Sequence, residues 1–146
     1  MTGIVVDTSA IMAVLLGEPD RTTFHEILLA TAPIMSTATR VELSCTALSR
    51  FGPERLPLVD DLLGSYEIRF EPVDDAQMKA ALAAAAVYGR GRRAAPAVLN
   101  YGDLFSYALA KTRNMPLLYK GEDFAATDIV SALSIVRTAI NGASES

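Results

Sequence analysis

Short apolar runs alternate with longer stretches of helical periodicity along the whole chain. Ile4-Val5-Val6 is a β-branched run that stops at Asp7, which predicts a strand buried on both faces, the signature of a parallel sheet. Thr8 or Ser9 can cap a helix over residues 10–16, stopped by Gly17 with Pro19 beyond. Residues 20–30 place Phe24, Ile27 and Leu28 on one face of a second helix. Pro33-Ile34-Met35 predicts a short strand, after which Thr37 or Thr39 can start a helix through Ser49 that Gly52-Pro53 ends. Residues 55–63 read as helical, and YEIRFEPV (66–73) alternates as a strand does.

The Ala-rich stretch 74–88 has no internal Gly or Pro and predicts a strong helix. Residues 89–100 form a loop that is basic in its first half, 103–112 an amphipathic helix, and 116–120 a further apolar strand. A turn over 121–127 leads to Asp128-Ile129-Val130, read as a last strand. The tail beyond Leu133 can form a helix through Ile140 and then fray. Strands alternating with helices imply an α/β fold, a mostly parallel sheet with helices on both faces. No repeat and no long polar linker divides it, so one domain is expected.

Composition agrees with that outline. A chain of 146 residues, 51% of them apolar, has the length and the side chains to bury a real core. The single cysteine, Cys45, excludes an internal disulfide and any cysteine-based zinc site. It reads as a buried small hydrophobe, and a cytoplasmic setting is the simpler expectation. The apolar N-terminus is interrupted by Asp7, Thr8 and Ser9 and has no basic leader, so neither a signal peptide nor a membrane role is expected. The formal net charge of −4 opposes binding of nucleic acid by basic side chains alone. Metal ions, or a basic partner, would resolve that opposition.

Candidate chemistry gathers where an open α/β sheet binds ligands, beyond the carboxyl ends of its strands. Asp7 follows the first strand, Glu42 lies in the first turns of the helix after the second, and Glu122 and Asp123 follow the strand ending near Lys120. Asp103 opens a helix. Taken singly, Asp7, Asp103 and Asp123 read equally well as helix or turn caps, and Glu42 as an exposed position. Taken together, four carboxylates at one edge would repel each other and rise in pKa unless a hard divalent cation lay among them. Such an ion polarises a phosphoryl oxygen and activates water.

IVVDTSAIMAVLLGEP closely resembles the first motif of PIN domains, especially the VapC toxins of bacterial toxin–antitoxin pairs. STATRVEL is similar to the second motif, and NYGDLFSYALAKTRNMPLLYKGEDFAATDI looks like the third and fourth run together. The resemblance covers residues 1–133 as the PIN domain, with 134–146 as its helical or frayed tail. It implies a PIN-like three-layer α/β/α domain and a Mg²⁺- or Mn²⁺-dependent endoribonuclease. It further implies a VapB-like antitoxin partner, a homodimer, and cleavage of transfer or ribosomal RNA loops by metal-activated water, leaving a 5′-phosphate. By matching motif, Asp7 and Asp103 would be the principal metal ligands, Glu42 would bind metal directly or through water, and Thr8 and Ser9 would orient the cluster. The family's Thr-x-Asp is replaced here by Tyr119-Lys120-Gly121. The fourth acidic role then passes to Asp123, with Glu122 as the alternative.

Smaller expectations attach to the neighbours. Asn100 and Ser106 flank Asp103 and would bond to it or to a phosphate, or act as ordinary caps. Lys120 would meet the scissile phosphate or stay solvated, and Arg90, Arg92 and Arg93 form a basic cluster suited to an RNA backbone or to solvent. His25 reads as structural, and Tyr101, Phe105 and Tyr107 as packing residues. Two other readings stay open on residues alone. One is a PIN-fold module that binds its antitoxin without catalysis; the other is a metal-dependent phosphoesterase, although the Asp-x-Asp of one phosphatase class is absent.

Overall fold

The computed structural model of the protein describes residues 1–91 and 98–135. Four strands form one sheet in the order β3-β2-β1-β4: β1 (Gly3–Val6), β2 (Ala32–Ser36), β3 (Arg69–Glu71) and β4 (Leu117–Leu118). Every pairing is parallel, with Ile4 opposite Pro33, Val5 opposite Leu117, and Ile34 opposite Arg69. The chain leaves β1 for β2 on one side and returns with β4 on the other. The strand order therefore reverses beside the carboxyl end of β1, the place where such sheets bind ligands.

The helices are α1 (Thr8–Leu15), α2 (Arg21–Ala30), α3 (Thr37–Phe51), α4 (Leu56–Ser65), α5 (Asp75–Tyr88) and α6 (Tyr101–Arg113), with a 3₁₀ turn at Pro53–Arg55. Strand alternation assigns them to two layers. Ile4, Val6, Met35 and Leu118 point into a core shared with Ile11, Phe24, Leu28, Leu43 and Leu63 of α1–α4. Val5, Ile34 and Leu117 point the other way, into a second core with Ala84 of α5 and Tyr107, Leu109 and Ala110 of α6. The result is the three-layer α/β/α arrangement expected. Each fully buried aliphatic side chain contributes about 1.5–3 kcal/mol, against about 0–1 kcal/mol for a surface ion pair such as Arg69–Glu71. The two cores, not the surface charges, hold the layers together. No described helix is long and apolar enough to cross a membrane.

Four local expectations need correcting. The cap of α1 is Asp7, whose carboxylate accepts from the Ser9 N–H, in place of Thr8 or Ser9, whereas α3 does start at Thr37, behind a Ser36 cap that accepts from Ala38. The strand expected over 66–73 shrinks to Arg69–Glu71. Tyr66 closes α4, Glu67 turns at a positive φ of 55°, and the Ile68 N–H bonds back to the Leu63 carbonyl. Asp128-Ile129-Val130 is not a strand: Asp128 is drawn onto α6 by Tyr107 (2.7 Å) and Lys111 (2.5 Å), and the ladder keeps one bridge, Leu117 to Ser131. Cys45 is exposed, because it faces away from the α3 stripe of Thr39, Leu43 and Ala47 that is buried. The expected tail helix through Ile140 falls largely outside the described residues.

Candidate active site

Asp7 occupies the turn from β1 into α1 and is buried. Both its oxygens are held. Oδ2 accepts from Ser9 Oγ at 2.7 Å and from the Ser9 N–H at 3.1 Å. Oδ1 accepts from Ser106 Oγ at 2.6 Å, reaching across from α6. Ser9 Oγ accepts in turn from the Lys120 N–H at 3.0 Å, so the segment after β4 is tied to the same turn. Ser106 is fully buried and lies 3.3 Å from Thr39 Oγ1. Its single proton faces Asp7, so Thr39 is the donor in that second contact.

The other carboxylates arrive from α3 and α6. Glu42, half-buried, accepts from Thr8 Oγ1 at 2.6 Å. Asp103, the third residue of α6, forms a capping box with Asn100. Its Oδ2 accepts from the Asn100 N–H, and Asn100 Oδ1 accepts from the Asp103 N–H, both at 2.9 Å. Packed against these two is Gly102: a Cβ there would collide with the Glu42 carboxylate.

The carboxylates lie close enough for their charges to act on one another. Burial pushes the Asp103 carboxyl up to about 7, against the pull of the Asn100 N–H, and the charges of Asp7, Asp123 and Glu42 push it the same way. Glu42 is likewise raised by burial, partly offset by the Thr8 hydroxyl and reinforced by Asp7. The charges of Asp7, Glu42 and Asp123 thus all reach Asp103.

As turned here, each of Asp7, Glu42 and Asp103 faces its own donor. Among the described residues no three His, Cys, Asp or Glu side chains form a ready cage. The donor set is nonetheless of the hard oxygen type that suits Mg²⁺ or Mn²⁺, and the raised carboxyls show that added positive charge would be stabilising. The residues fit a divalent cation.

The sequence matches the PIN domain family over residues 4–130. It is 44% identical over 127 residues to ribonuclease VapC42 of Mycobacterium tuberculosis, an alignment covering 86% of this chain and 96% of that one. The chain is a PIN-domain protein of the VapC ribonuclease type. Among solved structures, the PIN domain is similar to VapC20 of M. tuberculosis, described as a Sarcin-Ricin loop cleaving toxin. The TM-score is 0.69 at 19% identity, over 88% of this chain and 98% of that one. It is also similar to a chain of VapBC2 from Rickettsia felis bound to a promoter DNA fragment, with TM-score 0.68 and 11% identity, over 89% and 97%. Like other PIN-domain ribonucleases it is a hydrolase of the metal-dependent class.

In this PIN domain the expected residues sort by place. Asp7, Glu42 and Asp103 lie at one edge of the sheet, with Thr8 on Glu42 and Ser9 on Asp7, and Asp123 is near enough for its charge to act on Asp103. Glu122 instead borders a neighbouring groove with Phe24, Lys120 and Ala125. Asn100 bonds to Asp103, but Ser106 serves Asp7. Lys120 turns its ammonium to Glu18 and to Asp20, 3.1 Å away. Arg90 is exposed past the end of α5, while Arg92 and Arg93 lie outside the described residues. His25 bonds to Tyr66 at 2.7 Å, and Tyr107 is buried, but Tyr101 is 78% exposed. Sequence reasoning missed Thr39 as a site residue, as well as Gly102 and the Glu18–Lys120–Asp20 set. Thr39 was visible only as a possible helix start.

Ser106→Ala is expected to lower activity roughly 10- to 100-fold, the usual loss when a partner that orients a metal-binding carboxylate is removed. Thermal melting should change little beside that loss. Full activity in Ser106→Ala would show that Asp7 needs no support from α6.

Proposed function

We propose that this chain is the toxin of a type II toxin–antitoxin pair, a Mg²⁺-dependent endoribonuclease, with Mn²⁺ as substitute, that hydrolyses phosphodiester bonds in loops of transfer or ribosomal RNA. Its working unit is residues 1–133, with 134–146 as the tail. The observation that carries the reading is the field at the switch point. Burial first, and then the charges of Asp7, Asp123 and Glu42, push the Asp103 carboxyl up to about 7, and a divalent cation at this edge would relieve both.

Asp7 and Asp103 would hold the cation, with Glu42 and Asp123 completing the acidic edge directly or through water. When bound, the ion supplies a polarised phosphoryl oxygen and an activated water, giving a 5′-phosphate and a 3′-hydroxyl. The chain's own part is orientation. Ser9 and Ser106 fix both oxygens of Asp7, so that carboxylate does not swing. Thr8 keeps Glu42 turned inward, and Asn100 holds Asp103 at the head of α6. No imidazole or thiol joins the described site, since His25 is engaged by Tyr66 and Cys45 faces solvent from α3. This favours direct attack by water over a covalent intermediate.

The net charge of −4 suits a basic segment of a VapB-like antitoxin, in the cytoplasm, as the partner that covers the site. Homodimerisation is supported by exposed Val41, Cys45 and Leu48, spaced four and three apart along α3, with Tyr101 nearby. Contact with the RNA backbone is assigned to Arg90, Arg92 and Arg93. Lys120 takes part only if released from Glu18 and Asp20.

The reading is tested by mapping RNA 5′ ends after brief expression of the native chain and of Asp7→Asn in a bacterial host. New monophosphorylated ends at a few loop positions are expected with the native chain alone. Identical ends from both chains would overturn it.

A further inference from the structure

We propose that Gly102 is a positioning residue: its missing side chain is the space in which the Glu42 carboxylate sits. The proposal rests on Glu42 belonging to the metal site. Nothing in the backbone requires glycine here, because Gly102 is helical and absent from the positive-φ positions. Helix propensity alone favours alanine in the first turn of α6. What excludes alanine is its neighbour, since a Cβ would collide with Glu42 Oε2 and crowd the rest of that carboxylate.

Glu42 is therefore fixed from two sides. Thr8 Oγ1 of α1 donates to it at 2.6 Å, and the bare backbone of α6 bounds it opposite, one residue before Asp103. The colliding atom is the far end of a flexible side chain, so Gly102→Ala need not disturb the helix. Glu42 swings away instead, loses its bond to Thr8 and leaves the neighbourhood of Asp103. The expected phenotype is a folded protein with one displaced carboxylate.

Three measurements separate this from a general structural role. In metal-free protein, Thr8→Val is expected to lower the melting temperature by a few degrees in the parent. It should lower it by less than about one degree in Gly102→Ala, where the bond it removes is already gone. With Mn²⁺ as probe, followed by electron paramagnetic resonance, Gly102→Ala is expected to weaken binding roughly tenfold. In a Glu42→Ala background the same change at Gly102 should alter Mn²⁺ affinity less than about twofold, because the side chain it displaces is absent. Equal Thr8→Val losses in both backgrounds would overturn the proposal, as would an equal Mn²⁺ loss with and without Glu42. Parent protein that binds no Mn²⁺ would sink the metal-site reading instead, and the melting cycle would still decide the place of Gly102.

Discussion

Asp7→Asn and Asp103→Asn are each expected to cut RNA cleavage on the order of a thousandfold, with the fold intact. An amide is nearly the same size as the carboxylate and keeps an oxygen for the Ser9 or Asn100 N–H, so the caps of α1 and α6 survive. What disappears is a negative charge at the edge where Asp7, Glu42 and Asp103 lie together. The losses should not multiply in the double variant, since both residues serve one ion. Single-turnover cleavage of a loop RNA at saturating Mg²⁺ measures this. Wild-type rates in either variant would remove that residue from the site.

The second large effect is on stability. Unfolded, Asp103 titrates near the ordinary aspartate value of about 3.9; folded, it is pushed up to about 7 by burial and by Asp7, Asp123 and Glu42. Between those values the native state holds a proton that the unfolded chain has released. Stability of the metal-free protein therefore falls as pH rises through that window, and flattens above it. Glu42 adds to the slope in the same direction. Metal-free protein is expected to melt on the order of 5 °C lower at pH 8 than at pH 5. Asp103→Asn should flatten the dependence, and Mg²⁺ should reverse it, because the deprotonated site binds the ion and binding stabilises the native state. Calorimetry at the two pH values decides the matter, and higher melting at pH 8 without metal would contradict the assigned field.

Much of this was legible in local pattern. A β-branched run ending in Asp7, followed by a helix, is a short-range signal, and both flanking cores follow from strand alternation in Ile4-Val5-Val6. The acidic edge was legible by combining strand ends with the rule for open sheets, helped by resemblance in the first and third motifs. The supporting bonds were not. Ser106 lies three residues from Asp103 yet serves Asp7, 99 positions away, because the inward face of α6 passes over the β1 turn. Lys120 follows the last described strand, but its partners Glu18 and Asp20 come from the α1–α2 connection. The need for Gly102 is steric and exists only once α3 and α6 are packed. Alternation in residues 66–73 misled because Tyr66 is apolar for a different reason: it closes α4 and is buried against His25.

Asp7, Glu42 and Asp103 are expected to gather around one divalent cation. Crystals grown with Mn²⁺ and measured for anomalous scattering test this most directly. The expected map has a peak in coordination contact with Asp7 and Asp103, bounded by Glu42, that vanishes in Asp103→Asn crystals. A peak lodged elsewhere, or one that persists unchanged in that variant, would contradict it.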